Sequence, residues 1–276
     1  MTRADPPAFA PAGNRAAGRV VAEIEDGVGL ITFDHPERQN ALTVAMWEAL
    51  GRTLESWRDD PALRVVVLTG CGSRAFSAGA DLGAAGDARD NGEAWQQYDR
   101  LTQAPRQLLA KFPRPVIARI RGCCLGIGLA VALQADLRIA GKDSEFGVPA
   151  VRLGMGCGPA LVRQLVDLVG PAQARMLLLT GTRIDAAEAV RIGLVNQVVA
   201  DEELSDTVVD LARTIADNAP LAVRAVRLAI DRATGDPAAR DDEAVDGAIR
   251  DCFASDDYRE GHAAALEQRP PRFRGR

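Results

Sequence analysis

Val116-Ile117-Ala118-Arg119-Ile120 is an apolar strand that runs straight into Arg121-Gly122-Cys123-Cys124-Leu125-Gly126-Ile127-Gly128, a turn of small residues. An apolar helix from about Leu129 to Gln134 follows, and Leu137-Arg138-Ile139-Ala140 reads as the next strand. The same order of parts occurs upstream. Arg64-Val65-Val66-Val67-Leu68-Thr69-Gly70 is a buried strand ending in glycine, and Arg74-Ala75-Phe76-Ser77-Ala78-Gly79-Ala80-Asp81-Leu82 is a second small-residue turn. A helix from Glu93 to Lys111 comes next, stopped near Pro113 and Pro115. Strand, small-residue turn, helix and strand in repetition predict an α/β fold of stacked ββα units.

Outward from this centre the signals stay local. Val20–Glu25 and Gly29–Phe33 are strand-like and flank Asp26-Gly27, a hairpin signal. Thr43 to Arg58 places Met46, Trp47, Leu50, Leu54 and Trp57 at helical spacing, with Thr43 as N-cap. Gly83 to Gly92 lacks apolar periodicity and is expected to be a mobile loop. From Asp185 onward the pattern is almost wholly helical: Ala186–Ile192, Glu202–Asp217, Leu221–Ala233, Asp242–Phe253 and Asp257–Glu267. Three regions are expected: a disordered Ala/Pro/Gly-rich arm over 1–18, a core over 19–205, and a helical region with a basic tail over 206–276.

A chain of 276 residues can bury a substantial core, and 47% hydrophobic with 26% charged residues is an ordinary globular balance. The net charge of −5 argues against a broad nucleic-acid or membrane surface. No apolar run is long enough to span a bilayer, and the N-terminal arm has no apolar secretory core. Cys71, Cys123, Cys124, Cys157 and Cys252 lack Cys-x-x-Cys spacing, which favours reduced thiols in a cytoplasmic protein. With only His35 and His262 in the chain, a His/Cys metal site is not expected.

The two small-residue turns carry the chemistry. Each leaves backbone N–H groups to face a ligand, and two such donors converging on one point form an oxyanion hole. One such donor is typically worth roughly 3 kcal/mol to a developing oxyanion. Gly126-Ile127-Gly128 is a poor nucleotide loop, since neither Gly-Lys-Ser/Thr nor the third glycine of a dinucleotide fingerprint follows it.

Taken in order, His35–Leu42 (His-Pro-Glu-Arg-Gln-Asn-Ala-Leu), Phe76–Leu82, Gly122–Asp136, Phe146-Gly147-Val148-Pro149, Leu179-Thr180-Gly181 and Ala187–Val195 resemble the crotonase, or enoyl-CoA hydratase/isomerase, superfamily. The resemblance covers nearly everything after Arg19. It implies a spiral of ββα units with a C-terminal helical module that builds homotrimers, often paired into hexamers. It also implies a lyase or isomerase acting on acyl-CoA thioesters, with coenzyme A as part of the substrate and no separate cofactor. By motif matching, the oxyanion donors are the N–H groups of Ala80 and Ile127, the second of them at a helix N-terminus. Arg38, Ala78, Gly79, Leu82, Gly126, Ala130, Pro149 and Ala150 fall at substrate-binding positions.

Departures from the family pattern are informative. Family hydratases carry one glutamate after the second glycine-rich turn and another after Phe-Gly-x-Pro, and together these handle water and proton. Here those positions are Ala130 and Ala150, which transfer no proton. Ile127 replaces the commoner glycine and should narrow the acyl pocket. Asp81, Tyr98 and Cys157 are the remaining candidates for proton handling, and each has a plainer reading. Asp81 would bond loop N–H groups, Tyr98 with Asp99 and Glu93 would sit on a solvated helix face, and Cys157, without a neighbouring histidine, would be a small semi-buried residue. Arg152 could meet a substrate carboxylate or form a surface ion pair, and His262 would face solvent or a trimer contact. Arg269, Arg272, Arg274 and Arg276 would form a solvated basic tail, with CoA phosphates or RNA as the less favoured partners. The alternative to an enzyme is a noncatalytic acyl-CoA-binding or regulatory protein that kept the pocket and lost the acid/base pair.

Overall fold

The computed structural model describes residues 18–81, 92–234 and 242–276, and of residues 92–95 the backbone alone. Residues 1–17 of the expected arm (1–18), residues 83–91 of the expected loop (83–92), Leu82 and the side chain of Glu93 lie outside the described residues.

β1 (Arg19–Glu25) and β2 (Val28–Asp34) pair antiparallel across Asp26-Gly27, both at positive φ (48° and 81°). Their shared left-handed conformation matches the tight hairpin that Asp-Gly favours. α1 (Val44–Trp57) starts where the Thr43 hydroxyl accepts from the Met46 N–H at 3.2 Å. Three units follow, each a strand, a short second strand and a helix. They are β3 (Val65–Gly70), β4 (Ala75–Ser77) and α2 (Gly92–Ala110); then β5 (Val116–Ile120), β6 (Cys123–Leu125) and α3 (Ile127–Ala132). In the third, β7 (Leu137–Gly141) and β8 (Glu145–Gly147) lead through a 3-10 turn at Pro149–Leu153 into α4 (Pro159–Thr180), broken at Gly170. β9 (Ile184–Asp185), α5 (Ala186–Arg191), β10 (Gln197–Val199), α6 (Leu204–Ala216), α7 (Pro220–Thr234), α8 (Asp242–Ala254) and α9 (Asp256–Leu266) complete the chain.

Among the described residues these strands form a six-stranded sheet ordered β1-β2-β3-β5-β7-β10 and a four-stranded sheet ordered β4-β6-β8-β9. Within each sheet the strands of successive units pair in parallel, β3-β5-β7 in one and β4-β6-β8 in the other. This is the expected α/β stack of ββα units. β3 is apolar from Val65 to Leu68 because both of its faces are buried. Val66 and Leu68 join the main core with Phe33, Trp47, Phe76 and Phe146. Val65 and Val67 pack with Ile117 and Ile139 against Leu204, Val208 and Ala212 of α6. Each such fully buried side chain contributes about 1.5–3 kcal/mol, so α6 is bound to the sheet by its apolar face. Ser205, where the composition shifts, thus lies on a helix packed against the sheet.

The C-terminal tail keeps its four arginines exposed, as expected of a solvated basic tail, while its backbone is held in place. It folds back onto α9, where the carboxylate of Asp257, only 3% exposed, accepts from the N–H groups of Arg274 and Gly275 (2.7 Å each). In return, the Arg276 carbonyl accepts from the Asp256 N–H at 2.7 Å, satisfying a free donor at the start of α9. Arg269 pairs with Glu260 and Glu267. The concavity of about 780 Å³ under the tail is lined by Asp256, Asp257 and Glu260 as well as four arginines, so it is mixed in sign rather than basic. Val226, Ile230, Ile249, Phe253 and Leu266 on α7–α9 remain exposed. No helix among the described residues is long and apolar enough to cross a membrane.

Candidate active site

The two small-residue turns meet. Gly79 has φ of +117°, and a Cβ placed on it would sit 3.5 Å from the Ile127 nitrogen and 3.2 Å from the Leu125 oxygen. On the opposite turn, a Cβ on Gly128 would lie 2.3 Å from the Ser77 oxygen. Glycine at 79 and 128 therefore lets the backbone after β4 touch the start of α3.

The direction of the Ala80 N–H follows from its pairing. Leu42 and Ala80 form a parallel bridge: the Leu42 N–H donates to Gly79 O (2.7 Å) and the Asp81 N–H donates to Leu42 O (3.0 Å). In such a bridge the flanking peptides face the partner, so the N–H of Ala80 itself faces the other way. The Ile127 N–H opens α3, where the first turn of a helix has no intrahelical acceptor. Among the described residues neither N–H has a protein acceptor. Two donors in abutting turns, one at the positive end of a helix, make a place for a carbonyl oxygen that gains negative charge.

The segment before Leu42 locks this arrangement. Gln39 and Asn40 both have positive φ (51° and 55°), a conformation that asparagine tolerates better than most residues. The buried Asn40 side chain accepts from the His35 N–H and donates to Cys71 O and Ala75 O (2.9, 3.0 and 2.7 Å). The Ala78 N–H donates to Gln39 O at 2.9 Å. His35 holds its Nδ1 proton towards Ala41 O (3.0 Å), with the Asp81 carboxylate 3.9 Å away. Asp81 is 8% exposed and lies beside this histidine.

Tyr98 corrects an expectation. It is 3% exposed rather than on a solvated face; its hydroxyl accepts from Trp47 Nε1 (2.8 Å) and donates to Leu42 O (3.0 Å). Burial pushes its phenol up to about 12, making it a poorer acid. Asp99 is exposed and paired with Arg106, as expected. Cys157 is half-buried, and burial raises its thiol. Arg152 donates to Thr180 O at 3.2 Å. His262 is exposed, edge-on to Tyr258.

Ala80, Ile127, Ala150 and Cys157 are all half-buried against the same core cluster. The Gly126 N–H donates to Gly147 O (2.9 Å), which ties the second turn to the segment carrying Pro149 and Ala150. Ala130 lies one helical turn beyond Gly126, its N–H donating to Gly126 O at 3.0 Å. The side chain that bonds the Ala130 carbonyl is the Gln134 amide, itself held by Gln164, and an amide moves no proton. Ala78 is half-buried beside the first turn, and Arg38 is exposed at the end of a 3-10 turn. Leu82 is outside the described residues. Sequence reasoning passed over the supporting roles of His35, Asn40 and Trp47. A lone asparagine is a weak signal of left-handed backbone, whereas the Trp47–Tyr98 bond joins residues 51 apart and has no local sign.

The sequence profile described as enoyl-CoA hydratase/isomerase matches residues 23–276. A crotonyl-CoA hydratase of Syntrophomonas wolfei is 35% identical over 259 residues, covering 92% of this chain and 97% of that protein. A carnitinyl-CoA dehydratase of Salmonella arizonae is 37% identical over 252 residues, 89% of this chain and 94% of its own. Among solved structures, an enoyl-CoA hydratase/carnithine racemase from Magnetospirillum magneticum superposes with a TM-score of 0.87 at 34% identity, covering 93% of this chain and 96% of the other.

Proposed function

The chain belongs to the enoyl-CoA hydratase/isomerase family, and from that premise we propose that it is an acyl-CoA-processing enzyme that polarises the thioester carbonyl with the N–H groups of Ala80 and Ile127. The observation that carries this reading is the meeting of the two turns at Gly79 and Gly128, with both N–H groups left without a protein acceptor among the described residues. A thioester oxygen placed there gains stabilisation as it becomes enolate-like, which accelerates any step passing through that charge. Arg38, Ala78, Gly126, Pro149, Ala130 and Ala150 would surround the acyl-CoA. With alanine at 130 and 150, the protein supplies no carboxylate where hydration would need one. The reaction is therefore one that uses the enolate with proton transfer through water or a group other than these two.

A noncatalytic acyl-CoA-binding role is the second reading, favoured by the same two alanines. Turnover of any member of a panel of CoA thioesters excludes it. The oxyanion assignment is tested with acetoacetyl-CoA, which ionises to an enolate, against free CoA. Ala80→Pro deletes one donor, so enolate affinity should fall far more than affinity for free CoA. Equal losses for both ligands overturn the assignment.

A further inference from the structure

The oxyanion reading leaves Tyr98 unexplained: a phenol, buried and doubly bonded, that reaches the backbone beside the proposed hole. We propose that Tyr98 is a positioning residue that fixes the Ala80 N–H through the Leu42 carbonyl, and that it neither gives nor takes a proton from the substrate. This inference rests on the proposed use of Ala80 as an oxyanion donor.

The chain of bonds has one direction. An indole Nε1–H is a donor only, so Trp47 on α1 must donate to the Tyr98 oxygen (2.8 Å). The Tyr98 proton is then committed to Leu42 O (3.0 Å). That carbonyl has two lone pairs, and the Asp81 N–H takes the other at 3.0 Å. Leu42 also donates to Gly79 O (2.7 Å), so it grips the peptides on both sides of Ala80. Tyr98 thereby pins α2 to α1 and to Leu42, which holds the peptides beside Ala80. Consecutive hydrogen bonds polarise one another, so the Trp47 N–H makes the Tyr98 hydroxyl a stronger donor to Leu42 O. A base or acid facing the ligand would need a proton it could release, and this one is turned into the protein.

Tyr98→Phe keeps the ring and removes the link. Acetoacetyl-CoA is titrated against the natural protein and the variant, with the enolate followed by its absorbance across pH and free CoA titrated in parallel. The variant should bind the enolate about tenfold more weakly, which moves the pH at which bound acetoacetyl-CoA ionises up by about one unit, while free CoA affinity is unchanged. Trp47→Phe, which removes the donor to Tyr98 together with part of a buried ring, should shift the same pH in the same direction by less, and it carries the test if Tyr98→Phe does not fold. A folded variant with the natural enolate selectivity, or one that loses both ligands equally, overturns the positioning role. If the natural protein itself shows no preference for the enolate, the underlying oxyanion reading fails instead.

Discussion

Gly128→Ala should disable the site while leaving the fold standing. The added methyl would lie 2.3 Å from the Ser77 carbonyl oxygen, 2.8 Å from the Ser77 Cβ and 2.9 Å from its carbonyl carbon. An ordinary contact begins near 3.4 Å, so the two turns must separate by about 1 Å, and the obstructing atoms are backbone that cannot swing aside. Overpacking of this kind costs about 1–3 kcal/mol of stability. A misplacement of about 1 Å at a reacting group costs on the order of 10²-fold, or about 2.7 kcal/mol of enolate stabilisation. The assay pairs a titration of acetoacetyl-CoA and free CoA with a denaturant unfolding curve. The expected result is a loss of roughly 100-fold for the enolate, little change for CoA, and a lowered unfolding midpoint. Gly247→Ala on α8 is the control: its methyl meets Arg250 at an ordinary 3.7 Å. It should stabilise the helix by about 0.8–1 kcal/mol and leave both ligands alone. A Gly128→Ala protein with natural enolate affinity and an unchanged midpoint would refute the argument that close approach at this glycine builds the site.

Hydration of crotonyl-CoA should be slow or undetectable in the natural protein and should rise in the Ala130→Glu, Ala150→Glu double variant, since acid–base groups typically contribute about 10²–10⁴-fold; an absorbance assay on the enoyl thioester decides it. Tyr98, raised to about 12 by burial, keeps its proton in the folded protein after the unfolded chain has lost it near pH 10. Its contribution to stability is thus full below pH 10 and is lost as pH rises towards 12, by about 3 kcal/mol; denaturant midpoints measured across that range should fall in the natural protein and fall less in Tyr98→Phe. Asp257→Ala leaves the Arg274 and Gly275 N–H groups without their acceptor and should cost about 1–3 kcal/mol, read as a lower unfolding midpoint with the tail more open to carboxypeptidase. The exposed Val226, Ile230, Ile249, Phe253 and Leu266 should be covered by further copies of the chain, so sedimentation at micromolar concentration should give a trimer or hexamer, and a stable monomer would refute this.

Short-range chemistry was enough for much of the architecture. Asp26-Gly27 announces its hairpin because few residue pairs accept two left-handed conformations. Thr43 marks the start of α1 because its hydroxyl can meet a free helix N–H. The short run Val65–Leu68, rich in β-branched valine, favours a strand buried on both faces. The two small-residue turns, and the alanines at 130 and 150, were likewise legible, since what matters there is which groups the residues lack.

Other features exist only because distant parts of the chain meet. β4, β6 and β8 have three residues each, too few to show a period, and they are strands because each pairs with its counterpart in the next unit. The amphipathic face of α6 does not say which partner it covers; the second face of the sheet does. The tail arginines are exposed, as their sequence suggests, but the anchoring of their backbone could not be read from the tail, because the carboxylates of Asp257 and Glu260 that hold it lie on α9. Tyr98 sits on a largely polar helix, and its burial depends on an indole 51 residues away and a carbonyl 56 residues away. A backbone N–H has no identity in sequence, so the direction of the Ala80 N–H, away from Leu42, was decided by folding. The parallel bridge to Leu42 turns that N–H outward, and two glycines allow the facing turns to touch.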